Sequence, residues 1–472
     1  MKSKKLVFVD KDWRIHQLDE AGIFEIKDLS GREKEISDLV IGSVKYFSNP
    51  FRNMVAVNDN LVVSEWAMTP FAFHLHSPFD YLREVQKFAT GQEVYPLDLN
   101  ITLSDRCNYR CTFCLNREER EAKKPKDLRF STYKDMMDFF FEHQPSLTQS
   151  LSCGGSGEAV IHKHFNDVLR YAGEKDIRTF LTTNGSRTDD EFVRMVAQYT
   201  SVVVFSIHGI TENAFLDIQR PPKSHKLEDV INTIANIRAA SVQYGREHLL
   251  SLRVLTTVHS LNAGNYVPFI QRLIDAGVNQ ISFNPILPSP GYYGIYIDEA
   301  TRESMTREFA QIPIIFRESG VPIRLPDKLF QDDGTTFFDP SVRTNRDTCL
   351  ITLLQPNIGP IYGDDVNAKL SACRFYPTIT GNPMYWYSGS LGPKKAEGVW
   401  TGKNIQRIQN IAYGCRGCSH ERQIMALDWM LTTVRKFPDA RFYLLYDLNQ
   451  TNQIQSYSES VGNSPSCGQS RK

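Results

Sequence analysis

Residues 179–207 read TFLTTNGSRTDDEFVRMVAQYTSVVVFSI and contain one complete strand–helix–strand unit. Thr179–Thr182 is short and rich in the residue types that fit a pleated, half-buried surface. Thr183-Asn184-Gly185 then interrupts it with turn formers. Helical spacing takes over across Asp189–Ala197, with Thr188 as the expected cap, and Val202–Ile207 is the next strand.

The same rhythm runs outward in both directions. Upstream it predicts a strand over Leu99–Leu103 and a helix over Tyr133–Phe141, capped by Ser131 or Thr132. Strand Ser150–Cys153 and helix His164–Ala172 follow. Downstream come helix Leu227–Val242, strand Ser251–Thr257, helix Tyr266–Ala276 and strand Gln280–Asn284, then helix Glu303–Arg317 and strand Val321–Leu325. Alternation of this kind indicates parallel βα units. The fold class is therefore α/β, and the repeated units over 97–325 predict a partial (β/α)6-type barrel, or an extended one, over a Rossmann sheet. Either arrangement gathers chemistry at the C-terminal ends of its strands. The unusual segments 104–117, 154–158, 183–185, 206–209 and 284–294 each follow a strand.

The flanks differ. Residues 1–96 read as a small α+β accessory region, with strands at Leu6–Val9, Asn53–Val57 and Leu61–Val63 and a helix at Asp80–Phe88. Residues 326–448 lose the alternation, gain Gly, Pro, Asn and Tyr, and carry four cysteines, as a small metal-organised domain would. Within them Glu421–Lys436 reads as a helix and Arg441–Tyr446 as a strand or short helix. The Ser/Gln/Asn-rich stretch 449–472 is expected to be a disordered tail.

Composition narrows the function classes. The 472 residues hold 54 Lys plus Arg against 54 Asp plus Glu, so no general field favours nucleic acid or anionic lipid. No run approaches the roughly 20 apolar residues of a membrane helix. Leu6–Val9 is cut off by Asp10 and Lys11, too short for a secretory signal. A cytoplasmic location is expected, where nine cysteines stay reduced.

Three of those cysteines stand in Cys107-Asn-Tyr-Arg-Cys111-Thr-Phe-Cys114. Closely spaced thiolates suit an iron–sulfur cluster or zinc. Three thiolates leave one iron of a cubane open to chelate a substrate, whereas a zinc knuckle needs a fourth ligand, and His143 lies beyond an intervening helix. The spacing, with aromatic Phe113 before the third cysteine, resembles the radical S-adenosylmethionine (radical SAM) superfamily. The resemblance implies a [4Fe–4S] cluster on Cys107, Cys111 and Cys114 that chelates and reductively cleaves S-adenosylmethionine. The resulting 5′-deoxyadenosyl radical abstracts hydrogen, and Phe113 stands near adenine. A flavodoxin- or ferredoxin-type protein would supply the electron.

Other loops match the family in order. Gly154-Gly155-Ser156-Gly157-Glu158 resembles its glycine-rich stretch, usually Gly-Gly-Glu-Pro, with two residues inserted before the acid and Ala159 in place of proline. Glycines let backbone approach a ligand, so Glu158 or the carbonyls of Gly154, Gly155 and Gly157 are placed to accept from the methionyl ammonium. A tight turn with Glu158 in solvent is the plainer alternative. Asn184 resembles the Asn of the family's Thr-Asn-Gly, and Ser206 the serine near the SAM ribose or carboxylate. Arg220 and Arg253 are candidates to pair with the methionyl carboxylate, a task suited to a planar two-pronged donor. A salt bridge between strands is the alternative for Arg253.

Cys349, Cys373, Cys415 and Cys418 number four, enough to close a second cubane. They resemble the SPASM or twitch auxiliary-cluster domains that follow many radical SAM barrels. No cysteines follow Cys418 closely, so one auxiliary [4Fe–4S] cluster is implied, with structural zinc as the alternative. Such a cluster moves electrons or folds its domain, consistent with a net oxidoreductase reaction. Cys153 is a spare thiol for hydrogen donation, or a core residue.

Candidate substrate contacts are His208, Asn284, Tyr292, Tyr293 and Tyr296, all at strand ends or in the following loops, where His259 also lies. Residues 1–96 do not show a winged-helix leader-binding pattern, so the reading favours a small natural-product or sugar-type substrate. A ribosomal peptide or protein side chain is the alternative, and an iron–sulfur electron-transfer protein the alternative from another class.

Overall fold

The computed structural model of the chain describes residues 75–76, 78–114, 126–151, 157–262, 264–285, 299–321, 350, 354–355 and 421–447, together with the strands named below. The chain divides into two compact units, Glu93–Ser419 and a second that joins Met1–Gln92 to His420–Lys472.

In the joined unit the N-terminal strands are β1 (Leu6–Asp10), β2 (Ile15–Gln17), β3 (Lys27–Asp28), β4 (Arg52–Asn58) and β5 (Leu61–Met68), followed by helix α1 (Pro78–Ala89).

The larger unit begins with β6 (Asp98–Ile101), α2 (Phe130–His143), β7 (Thr148–Leu151), α3 (Phe165–Glu174), β8 (Arg178–Thr183) and α4 (Asp190–Tyr199). It continues through β9 (Val202–Ser206), α5 (Glu212–Gln219), α6 (Leu227–Gln243), β10 (Ser251–Val258), α7 (Tyr266–Asp275) and β11 (Gln280–Pro285). Helices α8 (Glu299–Phe309) and α9 (Ile312–Ser319) precede the short β12 (Ile323–Arg324). Among the described residues, β6 to β12 lie side by side in chain order and all pair in parallel. Consecutive order is the winding of a barrel wall. A doubly wound sheet would reverse its order at a switch point. The fold is the parallel α/β arrangement read from the sequence.

Three later strands, β13 (Asn357–Ile361), β14 (Asp364–Ser371) and β15 (Tyr385–Gly389), extend this sheet beyond β6. β13 pairs in parallel with β6, and the following pairs are antiparallel. The chain then returns to the joined unit with α10 (Glu421–Lys436) and β16 (Arg441–Asp447). β16 inserts antiparallel between β1 and β4, and α10 packs on α1. These elements, read above as the end of 326–448, thus group with residues 1–92. The pairing is long-range, and local periodicity carries no trace of it.

Buried polar residues in the barrel wall are matched. β7 is buried along its whole length although it reads Thr-Gln-Ser-Leu. Thr148 and Ser150 each donate to the Asp98 carboxylate at 2.8 Å. Gln149 accepts from the Tyr133 hydroxyl and donates to Thr179 Oγ1, both at 2.8 Å. Satisfied in this way, a polar strand escapes the desolvation cost of an unpaired one.

Helix starts differ from expectation at two places. Asp189, not Thr188, caps α4, its carboxylate accepting from Phe192 N at 2.9 Å. α2 begins at Phe130 after Arg129 without a side-chain cap, so neither Ser131 nor Thr132 serves. The helix expected over 303–317 is two, and Pro313 gives the reason. It has no N–H to continue α8, yet is tolerated in the first turn of α9.

Candidate active site

The cysteine loop leaves the end of β6 and is clasped at its base. Leu128 N donates to Leu103 O at 2.7 Å and Asp105 N to Lys126 O at 3.0 Å. Ser104 Oγ donates to Asp127 at 2.7 Å, and Arg106 forms an ion pair with the same carboxylate. Farther along, the loop docks on the C-terminal end of α5. Thr112 N donates to Ile218 O at 2.9 Å and Arg110 N to Arg220 O at 3.3 Å. Arg220 itself is left-handed, with φ of 47°, which turns the chain off the helix at this contact. Cys107, Cys111 and Cys114 are all partly exposed, and none is in a disulfide.

Glu158 is buried and points inward, which overturns the reading that left it in solvent. One carboxylate oxygen accepts from Thr183 Oγ1 at 2.9 Å and Val160 N at 3.4 Å, and the other from Asn184 N at 2.8 Å. Its own N–H donates to Arg106 O at 2.7 Å. Glu158 therefore joins the loops after β6, β7 and β8. Asn184 carries the link on: its Nδ2 donates to Asn108 Oδ1 at 3.1 Å and to Cys107 Sγ at 3.8 Å.

Burial pushes the Glu158 carboxyl up to about 7, outweighing three donors that pull it down. In the unfolded chain the same group titrates at 4.5. Between those values the folded state holds the extra proton, so stability falls as pH rises, by about 3 kcal/mol across the window. Glu158→Gln is expected to remove this slope. Denaturant midpoints at pH 4.5 and pH 8 check it: parallel pH dependence in parent and variant would place the titration elsewhere.

A second group of loops meets at the ends of β9 and β10. Gln219, the buried last residue of α5, accepts from His208 N at 2.6 Å and Gly209 N at 3.3 Å, and donates to Ser206 O at 3.0 Å. Asn262 donates to His208 O at 2.8 Å and to Thr257 O at 2.6 Å, so it ties the two loops together. His208 Nδ1 accepts from Thr257 N at 3.0 Å, and His259 Nδ1 accepts from Leu261 N at 3.2 Å. Both neutral rings thus carry their proton on Nε2. Burial holds His208 down to about 3 and His259 to about 4, so both are neutral donors near pH 7. The His259 Nε2 is buried without a hydrogen-bond partner. Phe113 lies against both rings, with centroids 4.9 Å from His208 and 5.7 Å from His259.

The other expected residues separate. Across the parallel register Ser206 stands beside Leu255 and Leu255 beside Ser282, with Thr257 and Asn284 paired one layer nearer the strand ends. Arg253 aligns with Val204 and Gln280, one layer deeper than Ser206. It is buried, donates to Ser251 Oγ at 3.1 Å, and is lowered to about 10 by burial. The Arg220 guanidinium is exposed and donates to Asp217 O at 3.3 Å on its own helix. Gly154, Gly155, Cys153, Tyr292, Tyr293, Tyr296, Cys349, Cys373, Cys415 and Cys418 lie outside the described residues. Sequence reasoning missed Gln219 and Asn262. Each is a single polar residue, and the bond that ties it to the loop after β9 spans 10 residues or more.

Residues 101–246 match the sequence profile of the Radical SAM superfamily. The barrel carries a radical SAM domain. The chain is 21% identical over 299 residues to the antilisterial bacteriocin subtilosin biosynthesis protein AlbA of Bacillus subtilis, covering 59% of this chain and 63% of that one. It is 24% identical over 178 residues to an S-adenosylmethionine-dependent nucleotide dehydratase of Psychrobacter lutiphocae, covering 35% of this chain and 57% of the relative. It thus spans about three fifths of these curated relatives' own length. Among solved structures, Streptococcus suis SuiB bound to precursor peptide SuiA is similar at a TM-score of 0.46 and 14% identity, over 92% of this chain and 89% of that one.

A radical SAM domain works with a [4Fe–4S] cluster and S-adenosylmethionine, and the donors present fit both. Three soft thiols share one loop at the C-terminal ends of parallel strands. Among the described residues no three His, Cys, Asp or Glu side chains are placed to share one ion. A cubane does not ask that of them, because each thiolate takes a different iron. The orphan His259 N–H suits an acceptor nitrogen such as those of a purine ring. No helix among the described residues is long and apolar enough to cross a membrane.

Proposed function

We propose that this chain is a radical SAM enzyme that modifies a peptide or protein side chain, with Cys107, Cys111 and Cys114 as the ligands of its SAM-binding cluster. The observation that carries the active-site reading is the docking of the cysteine loop at the strand ends, beside buried Glu158 and the two imidazole donors. When bound, the cluster and S-adenosylmethionine supply a 5′-deoxyadenosyl radical, given one electron from a flavodoxin- or ferredoxin-type donor.

The chain's own residues prepare that site. Glu158 fixes the Thr183 hydroxyl and the Asn184 backbone N–H, while Gln219 and Asn262 fix the loops that carry His208 and His259. The neutral imidazoles offer N–H groups to a ligand and add no charge. Arg253 and Ser206 share one face of the wall, Arg253 a layer below Ser206 at the strand end, and would hold the carboxylate of S-adenosylmethionine when it is bound.

The substrate class rests on the extent of the match. The bacteriocin biosynthesis protein aligns over 299 residues, about twice the length of the matched domain, so the likeness exceeds the shared SAM machinery. The nucleotide dehydratase aligns over 178, little more than that machinery. This favours the peptide reading over the small molecule preferred from sequence. Incubation of the reconstituted, reduced protein with S-adenosylmethionine and short peptides encoded beside its gene tests it. Peptide-stimulated 5′-deoxyadenosine and a mass change in the peptide are expected. Stimulation by nucleotides alone would reverse the choice.

The second cysteine set is proposed to close an auxiliary [4Fe–4S] cluster in the segment from 326 onward. Cys415→Ala with Cys418→Ala is expected to leave about four of about eight irons, one cubane of two. S-adenosylmethionine cleavage should persist while substrate conversion collapses. A soluble double variant with full product yield would reduce this site to an optional structural element.

A further inference from the structure

We infer that Asn184 sets the reduction potential of the first cluster by donating a hydrogen bond to the thiolate of Cys107, a role that rests on the ligand assignment proposed above. The side-chain amide of Asn184 has only one consistent orientation. Ser186 N donates to its oxygen at 2.9 Å, so the NH2 end must face the other way. There it meets Asn108 Oδ1 at 3.1 Å and Cys107 Sγ at 3.8 Å, a distance within reach of a sulfur acceptor. The backbone is fixed as well, since Asn184 N donates to buried Glu158 at 2.8 Å. Asn184 is 8% exposed, so the amide donor itself is withdrawn from solvent.

The consequence is electrostatic. Reduction adds one electron to the cluster, and the added negative charge spreads onto the ligand sulfurs. An N–H dipole aimed at one of those sulfurs stabilises the reduced form more than the oxidised one, and hydrogen bonds to sulfur are among the levers that set cluster potentials. Low polarity around the donor strengthens the effect. The role is that of a positioning residue: Asn184 tunes how readily the cluster accepts the electron and is not itself altered.

Two variants separate tuning from support. Asn184→Asp keeps the size and an oxygen for Ser186 N, but turns a carboxylate oxygen towards Sγ. Asn184→Ala removes the donor together with the oxygen that accepts from Ser186 N, and adds no charge. The measurement is a dithionite titration of reconstituted full-length protein at pH 7, followed by electron paramagnetic resonance of the reduced cluster, with iron counted in each sample. To keep the signal unmixed, it is done in the Cys415→Ala, Cys418→Ala background. Iron content should match that background, with the midpoint falling in the order parent, Ala, Asp. For Asp a tenfold loss in the one-electron reduction equilibrium is expected, or about 59 mV. Equal midpoints in all three proteins overturn the inference while leaving the ligand assignment intact. Variants that load no iron overturn it too, by making Asn184 an assembly residue. A parent that holds no cluster on Cys107, Cys111 and Cys114 sinks the assignment beneath it.

Discussion

Replacing Cys107, Cys111 and Cys114 together with alanine is expected to abolish cleavage of S-adenosylmethionine and to leave about four irons and four sulfides per chain from about eight. The three cysteines share one loop, and the fold tolerates their loss on physical grounds. The base of the loop is held by Leu103, Asp105 and the Ser104–Asp127–Arg106 contacts, and its far side by backbone bonds to Ile218 and Arg220. None of those bonds involves a thiol. The triple variant should therefore fold with its second cluster in place, and a loss of cleavage can be assigned to the missing ligands. Anaerobic iron and sulfide analysis, with chromatographic assay of 5′-deoxyadenosine, checks the result. Cleavage at the parental rate would refute the ligand assignment, and zinc in the parent in place of iron would revive the structural-metal reading.

What could be read from the sequence follows the range of the forces involved. The three cysteines were legible because coordination chemistry restricts residue type and spacing together. The parallel strands were legible because turn formers and helix caps are local. Strand starts shifted by a residue or two: the second begins at Thr148, two residues before the expected Ser150, because buried Thr and Gln are satisfied by partners on other elements. Asp189 and Thr188 are both competent caps, and only the extended backbone at Asp189 decides between them. The partnership of β16 with β1 and β4 joins residues at opposite ends of the chain. Gln219 and Asn262 were invisible for the same reason. The bonds by which they hold the loop after β9 span 10 to 54 residues of sequence, beyond the reach of local pattern.

Gly157→Ala is expected to be the most damaging single change in the site, costing more than about 3 kcal/mol of stability and most of the first cluster's iron. The glycine-rich loop departs from the usual Gly-Gly-Glu-Pro by its insertion, and its last glycine lies directly against the start of the cysteine loop. A Cβ at Gly157 would stand 1.9 Å from Ser104 O, 2.8 Å from Ser104 C and 2.9 Å from Arg106 O. All three are backbone atoms, so no rotamer change can make room. Separation of the two loops would stretch the bond from Glu158 N to Arg106 O, now 2.7 Å, and pull the Glu158 carboxylate away from Thr183 and Asn184. Asn184 would then lose its hold beside Cys107, which lies one residue after Arg106. Iron content after reconstitution and thermal unfolding of the soluble variant measure the two losses. Gly91→Ala is the control, because nothing lies within 4 Å of a Cβ there, although its φ of 73° adds a modest backbone strain. If Gly157→Ala loads iron as the parent does and unfolds no earlier than Gly91→Ala, the close approach of the two loops has no part in building the site.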